Sequence, residues 1–213
     1  MKWQVKYTLE NLNRENEKVC AKHVENDVVE IIADGKPDVL AAIYGGYRVS
    51  EDVATEYVRL NPNIDFLCGY RKQCVWEGAA IAYLKERNIG WGNLGTLGSA
   101  ILDGNANFAE HKVYAFAARL IHQYGIVDNA EREFDRIFLV TLKGGQTLRI
   151  GLIPDYEPTA DNIRGLWDEF GPVDIAWNIN PNGDPCANAI TTGKELGCAV
   201  LKTEGMKQYL QSL

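Results

Sequence analysis

The sequence predicts an α/β protein made of two tandem copies of one hairpin–helix–strand–helix–strand unit, each a mixed sheet with helices packed on it. Residues 26–101 lie on residues 135–210 at a constant offset of 109, without a gap. Both stretches also change from strand-like to helix-like patterning at the same places, and turn residues meet turn residues. The eight identities are Gly35/Gly144, Tyr47/Tyr156, Asp52/Asp161, Asp65/Asp174, Ala80/Ala189, Ile81/Ile190, Lys85/Lys194 and Glu86/Glu195. Composition alone would give about five, so period and punctuation carry the repeat rather than identity. The domains expected are 1–104, with repeat core 26–101, and 105–213, with repeat core 135–210, related by a pseudo-twofold axis.

Each element has a local reason. VVEIIADGKPDVLAAIY places two apolar runs around Asp34-Gly35-Lys36-Pro37, and IFLVTLKGGQTLRIGLI repeats this around Gly144-Gly145; both read as hairpins. Ser50 with Asp52, and Thr159 with Asp161, supply a capping hydroxyl and a first-turn carboxylate for the next helix. IDFLCGY at 64–70 and VDIAWNI at 173–179 read as short buried strands. WEGAAIAYLKERN and CANAITTGKELG follow as helices, each leading to a last strand and a terminal helical turn. A strand–helix–strand crossover of this length implies parallel pairing. The clearest helix is FAEHKVYAFAARLIHQYG at 108–125, with Asn107 and Glu110 as a capping-box-like start and Gly125 to end it. Residues 1–25 are more polar and do not align with anything ahead of the second copy.

Bulk properties narrow the function. The chain is 46% hydrophobic and 24% charged, an ordinary globular balance. A formal charge of -7 argues against a broad nucleic-acid face and leaves room for a small basic one. There is no apolar run of membrane-spanning length and no signal-peptide pattern at the start, so a soluble, cytoplasmic protein without a membrane partner is expected. Five cysteines without a Cys-x-x-Cys indicate neither a disulfide framework nor a zinc site.

The unit order, ending in AITTGKELGCAVLKTEGMKQYL, resembles the restriction-endonuclease-like (PD-(D/E)xK) superfamily. That resemblance implies a Glu from a preceding helix, an Asp from the hairpin and a Glu-x-Lys on the next strand, together holding Mg²⁺ and an attacking water. Glu110 and Asp135 are the candidates for the first two, with Asp103 a further carboxylate. The third position reads Arg149-Ile150-Gly151, and in the first copy Pro37-Asp38 is followed by Val-Leu-Ala-Ala-Ile. A degenerate, non-catalytic accessory or interaction protein is therefore the leading reading, with no cofactor. The alternatives are a Mg²⁺-dependent nuclease whose carboxylates meet only in three dimensions, and a small-ligand binder in the cleft between the copies.

Binding candidates come from the carboxyl ends of the parallel strands, where open α/β sheets gather ligands. CGYRKQCVWEG offers Tyr70, Arg71, Lys72 and Trp76, a phosphate grip or a stacking platform; its plainer reading is a solvated turn with Trp76 packed on the helix behind. NINPNGDPC offers Asn178, Asn180 and Asn182, whose plainer reading is turn chemistry. The partner on this reading is a nucleic acid or a protein, a second copy of the chain included. Asp65 and Asp174, at the mouths of equivalent strands, read as partners for a neighbouring backbone amide. GWGNLGTLG at 90–98 lacks both phosphate-loop spacings and reads as structural.

Overall fold

The computed structural model describes residues 1–15, 18–71 and 73–213, with the Glu15 side chain outside the description. It divides into two units, Met1–Lys112 and Val113–Leu213. In the first unit the order is α1 (Trp3–Glu15), β1 (Val19–His23), β2 (Val28–Ala33), β3 (Val39–Tyr44), β4 (Arg48–Val49), α2 (Glu51–Leu60), β5 (Phe66–Gly69), β6 (Val75–Trp76), α3 (Gly78–Lys85), β7 (Gly90–Gly92) and α4 (Leu94–Asp103). Its main sheet runs β1-β2-β3-β5-β7. The first two pairings are antiparallel and the last two parallel.

In the second unit α5 (Lys112–Gln123, beginning one residue ahead of the division) leads to β8 (Val127–Phe134), β9 (Ile137–Leu142), β10 (Thr147–Ile153), α6 (Ala160–Phe170), β11 (Ile175–Asn178), α7 (Ala187–Leu196), β12 (Ala199–Lys202) and α8 (Thr203–Gln211). Its sheet runs β8-β9-β10-β11-β12, again antiparallel twice and then parallel twice. The protein is thus α/β with mixed sheets, and both crossovers of each unit give the parallel pairs that their length requires.

Sheet alternation sorts each core into two layers. In the first unit Ile31, Ile43, Phe66 and Cys68 pack with Val5 and Leu12 of α1 and Leu97 and Ile101 of α4. On the opposite face Val28, Ala42 and Leu67 pack with Ala54 of α2 and Ala80, Ile81 and Leu84 of α3. The second unit follows the same scheme, with Ile150, Ile175 and Trp177 against α5 and α8, and Ala176 and Ile153 against α6 and α7.

The offset of 109 reaches further than the sequence indicates. The segment 1–25 contains a helix and a strand whose counterparts stand at the same offset in the second unit. Val5, Thr8 and Leu12 are buried in α1, and Tyr114, Ala117 and Ile121 are buried in α5. Individual hydrogen bonds follow the same spacing. Leu40 N donates to Asp65 Oδ2 at 2.8 Å, and Arg149 N to Asp174 Oδ2 at 2.7 Å. The same aspartates donate their own amides to Leu40 O and Arg149 O, at 2.8 Å in each case. They clamp the mouth of a parallel pair, which is the backbone role expected of them.

One element differs from expectation. The helix expected at 108–125 spans Lys112–Gln123, and Ala106–Phe108 forms a 3-10 turn instead. Trp91 N donates to Ala109 O at 2.9 Å, so this stretch covers the edge of β7 and its carbonyl is not available to a helix. Glu110 pairs with Lys85, 2.8 Å away. These contacts, with Lys112 on Asp103 at 2.9 Å, keep 105–112 with the first unit.

The first helix cap forms as read, Ser50 Oγ accepting from Val53 N at 3.3 Å. At Thr159, by contrast, the backbone N and the hydroxyl both donate to Asn162 Oδ1, at 2.8 and 3.0 Å, so the Asn162 side chain rather than the Thr159 hydroxyl is the acceptor. Gly98 sits inside α4 with nothing within 4 Å of where a Cβ would stand. Gly98→Ala should therefore raise stability by about 0.5–1 kcal/mol, read as a higher urea midpoint with an unchanged slope. No helix among the described residues is long and apolar enough to cross a membrane.

Candidate binding site at the carboxyl ends of β3 and β5

Strands β3 and β5 run parallel, so both carboxyl ends open on the same side of the first sheet. Tyr70 N donates to Tyr44 O at 3.2 Å and carries the pairing into the loops. Arg71 Nε then donates to Gly45 O at 3.1 Å and ties the loop after β5 to the loop after β3. The guanidinium carbon of Arg71 stands 4.1 Å from the ring centre of Tyr47 and 5.1 Å from that of Tyr70. Such contacts hold a planar cation in place at about 0.5–1 kcal/mol each when exposed.

Helix α1 supplies the rest. Trp3 and Tyr7 are four residues apart, hence on one helical face, and their rings stack at 5.2 Å and 20°. Tyr70 meets both edge-on, at 5.6 and 6.2 Å. A Cβ on Gly45 would stand 2.9 Å from Gln4 Nε2, so a side chain there would press on the helix. The start of α1 is fixed by Lys2 Nζ, 2.6 Å from Asp27 Oδ2, and Tyr57 donates its hydroxyl to the same oxygen at 3.0 Å. Burial, and then the Asp27 charge, push the Tyr57 phenol well above its ordinary range, so it remains a donor.

The result is an exposed aromatic surface with a cation set into it. Trp3 and Tyr47 are each 62% exposed, although the fold gains little from leaving such rings in water. Among the described residues no carboxylate pairs with Arg71. Lys72 lies outside the described residues. Trp76 does not join this surface: it is 2% exposed and packs at 5.3 Å on Trp91, as its plainer reading has it.

The corresponding loops of the second unit are differently furnished. Asn180 Nδ2 donates to Pro154 O at 3.2 Å, the same bond at the same offset as Arg71 to Gly45. Asn178 Oδ1 accepts from Asn180 N, and Asn180 Oδ1 from Asn182 N, so these amides mainly hold the loop's own shape. Tyr156 is 61% exposed, like Tyr47.

The candidate carboxylates are each engaged elsewhere. Glu110 pairs with Lys85, Asp103 with Lys112, and Asp135, 3% exposed, with Arg136 at 2.9 Å. Among the described residues no group of three or more His, Cys, Asp or Glu side chains is arranged to hold a metal ion. This donor set does not fit the Mg²⁺ that the superfamily resemblance implies. Two buried thiols are also poor nucleophiles, since burial pushes Cys68 far up and Cys198 up to about 11.

Sequence reasoning missed Trp3, Tyr7 and Tyr47 as members of the site. The four-residue spacing of Trp3 and Tyr7 was the available signal for two of them. Tyr47/Tyr156, the one aromatic identity between the two aligned stretches, was the signal for the third. No family model, curated protein or solved structure matches the chain.

Proposed function

We propose that the chain arose by duplication of a restriction-endonuclease-like unit and works as a non-catalytic binding protein, engaging nucleic acid through the carboxyl-end surface of its first unit. The duplication is supported by equal strand order and sense in the two sheets and by side-chain hydrogen bonds that recur at an offset of 109. The resemblance is supported by a helix ahead of each hairpin. Loss of catalysis is supported by the separate ion pairs of Glu110, Asp103 and Asp135.

The observation that carries the binding reading is Arg71. It is a guanidinium without a carboxylate partner among the described residues, held against two tyrosine rings in a protein of formal charge -7. A phosphate supplies the missing acceptor in bidentate geometry, and the rings offer surface to the sugar and base beside it. Because the rest of the chain is acidic, the footprint is small and the affinity strongly salt-dependent for its size.

Fluorescence anisotropy with a labelled oligonucleotide tests this. Binding should appear at low salt, and Arg71→Gln should weaken it several-fold while reducing the slope of log K against log salt by about 0.7–0.9, the share of one phosphate contact. No binding at low salt overturns the reading. Incubation with Mg²⁺ should leave the strand intact; cleavage that Glu110→Gln abolishes would establish the nuclease instead.

A further inference from the structure

The same surface selects among nucleic acids, and we infer that its ligand is an unpaired strand, with Trp3 as the residue on which a base stacks. This rests on the nucleic-acid reading above and adds the class of strand and the residue that reads it.

The argument starts from which ring faces are open. Trp3 lies nearly parallel to Tyr7 at 5.2 Å, so one of its faces is taken by a ring of its own helix, and yet the residue is 62% exposed. Most of the residue's surface is thus left open to solvent beside the Tyr7 and Tyr70 contacts. Tyr47 carries the Arg71 guanidinium at 4.1 Å on one side and is likewise 62% exposed. Between them Tyr70 stands edge-on to Trp3 and next to Arg71. The surface therefore reads ring, edge, cation, ring.

That order matches the repeat of a single strand, in which planar bases alternate with phosphates. In a duplex each base face is already stacked on its neighbours and only edges and phosphates are displayed. A flat aromatic platform gains nothing from them. An unpaired base gains about 1–3 kcal/mol from stacking on such a ring, whichever base it is, because each has a π-face. A duplex reader needs instead a helix or ribbon shaped to a groove and many cations along the backbone. Among the described residues of this surface Arg71 is a lone guanidinium without a carboxylate partner, and the chain as a whole is acidic, too little charge to hold a duplex by its phosphates. The platform is also built to stay in place. Lys2 and Tyr57 both bind Asp27 Oδ2 and fix the first turn of α1, so Trp3 is ordered before a ligand arrives.

The experiment titrates the full chain with a labelled single strand of mixed sequence and with the same strand annealed to its complement, in the same low-salt buffer. The single strand is expected to bind at least about tenfold more tightly, with quenching of tryptophan fluorescence that is absent in Trp3→Ala. Trp3→Ala should weaken the single strand by about fivefold to a hundredfold and leave the salt slope unchanged, while Trp3→Phe should recover part of the affinity. Circular dichroism of both variants confirms that α1 remains folded. Equal affinity for strand and duplex, or a silent Trp3→Ala beside an effective Arg71→Gln, overturns the unpaired-strand inference and leaves nucleic-acid binding standing. Binding to neither form overturns both and leaves the surface to a protein partner.

Discussion

Arg136→Met should lower the stability of the second unit by about 3–5 kcal/mol, a larger effect than its place on a turn suggests. Arg136 lies between β8 and β9, and its guanidinium meets both oxygens of Asp135, at 3.2 and 2.9 Å. The Asp135 side chain is only 4% exposed, so the carboxylate has little water of its own. Burial works against the Arg136 charge, but its acidic neighbours, above all the Asp135 carboxylate with its charge and hydrogen bonds, outweigh it and hold the group more firmly protonated than usual. Removing the cation strands a buried carboxylate, and that penalty dominates the result. The double variant Asp135→Asn, Arg136→Met should recover much of the loss, because no charge is then left unpaired. Urea unfolding of the two singles and the double measures this coupling directly. A loss below about 1 kcal/mol for Arg136→Met would show that water, not Arg136, satisfies Asp135. The comparison also bears on catalysis, since an aspartate held for a metal ion should tolerate Asn with little loss of stability.

The fold was legible where a local signal decides it. Gly35 takes a positive φ of 68° in the first hairpin turn, as a glycine in such a turn can. In the second hairpin the positive φ belongs to Gly145 rather than the aligned Gly144, so the identity Gly35/Gly144 marks a shared turn and not a shared conformation. Asp65 and Asp174 were legible as backbone partners because a carboxylate at a strand mouth has few other uses. The matching placement of α1 and α5 at the offset of 109 was not legible, because it lies in three buried positions occupied by Val, Thr and Leu in one helix and Tyr, Ala and Ile in the other. Burial fixes where these side chains point and leaves their identity free. The site was half legible for a related reason. Tyr70 and Arg71 stand at a strand end, where topology directs attention, whereas Trp3 and Tyr7 reach them across more than sixty residues. Only the fold brings those two segments together.

The covered edge of the first sheet leads to the second large effect. Gly90 begins β7, pairs with Phe66 and donates to Asp65 O at 2.9 Å. A Cβ there would stand 1.9 Å from Ala106 O and 2.8 Å from the Phe66 ring. The first of these is a backbone atom of the turn that shields the strand, so it has no rotamer with which to move aside. Gly90→Ala should therefore lower stability by about 3 kcal/mol or more, the upper range for overpacking. The position at the same offset in the second unit is Ala199, where a Cβ is already accommodated, and Ala199→Gly should cost only about 1 kcal/mol. Hydrogen exchange separates a general loosening from a local one. If the strain is relieved by lifting the shielding segment, the Trp91 amide, which donates to Ala109 O, should lose protection first, ahead of the central strands β3 and β5. Uniform loss across the sheet would show instead that β7 itself is displaced. The outcome matters for the site, because its loops hang from β3 and β5. A protein that frays only at β7 should keep its aromatic surface, whereas one that loses the sheet should lose Arg71's hold on Gly45 with it.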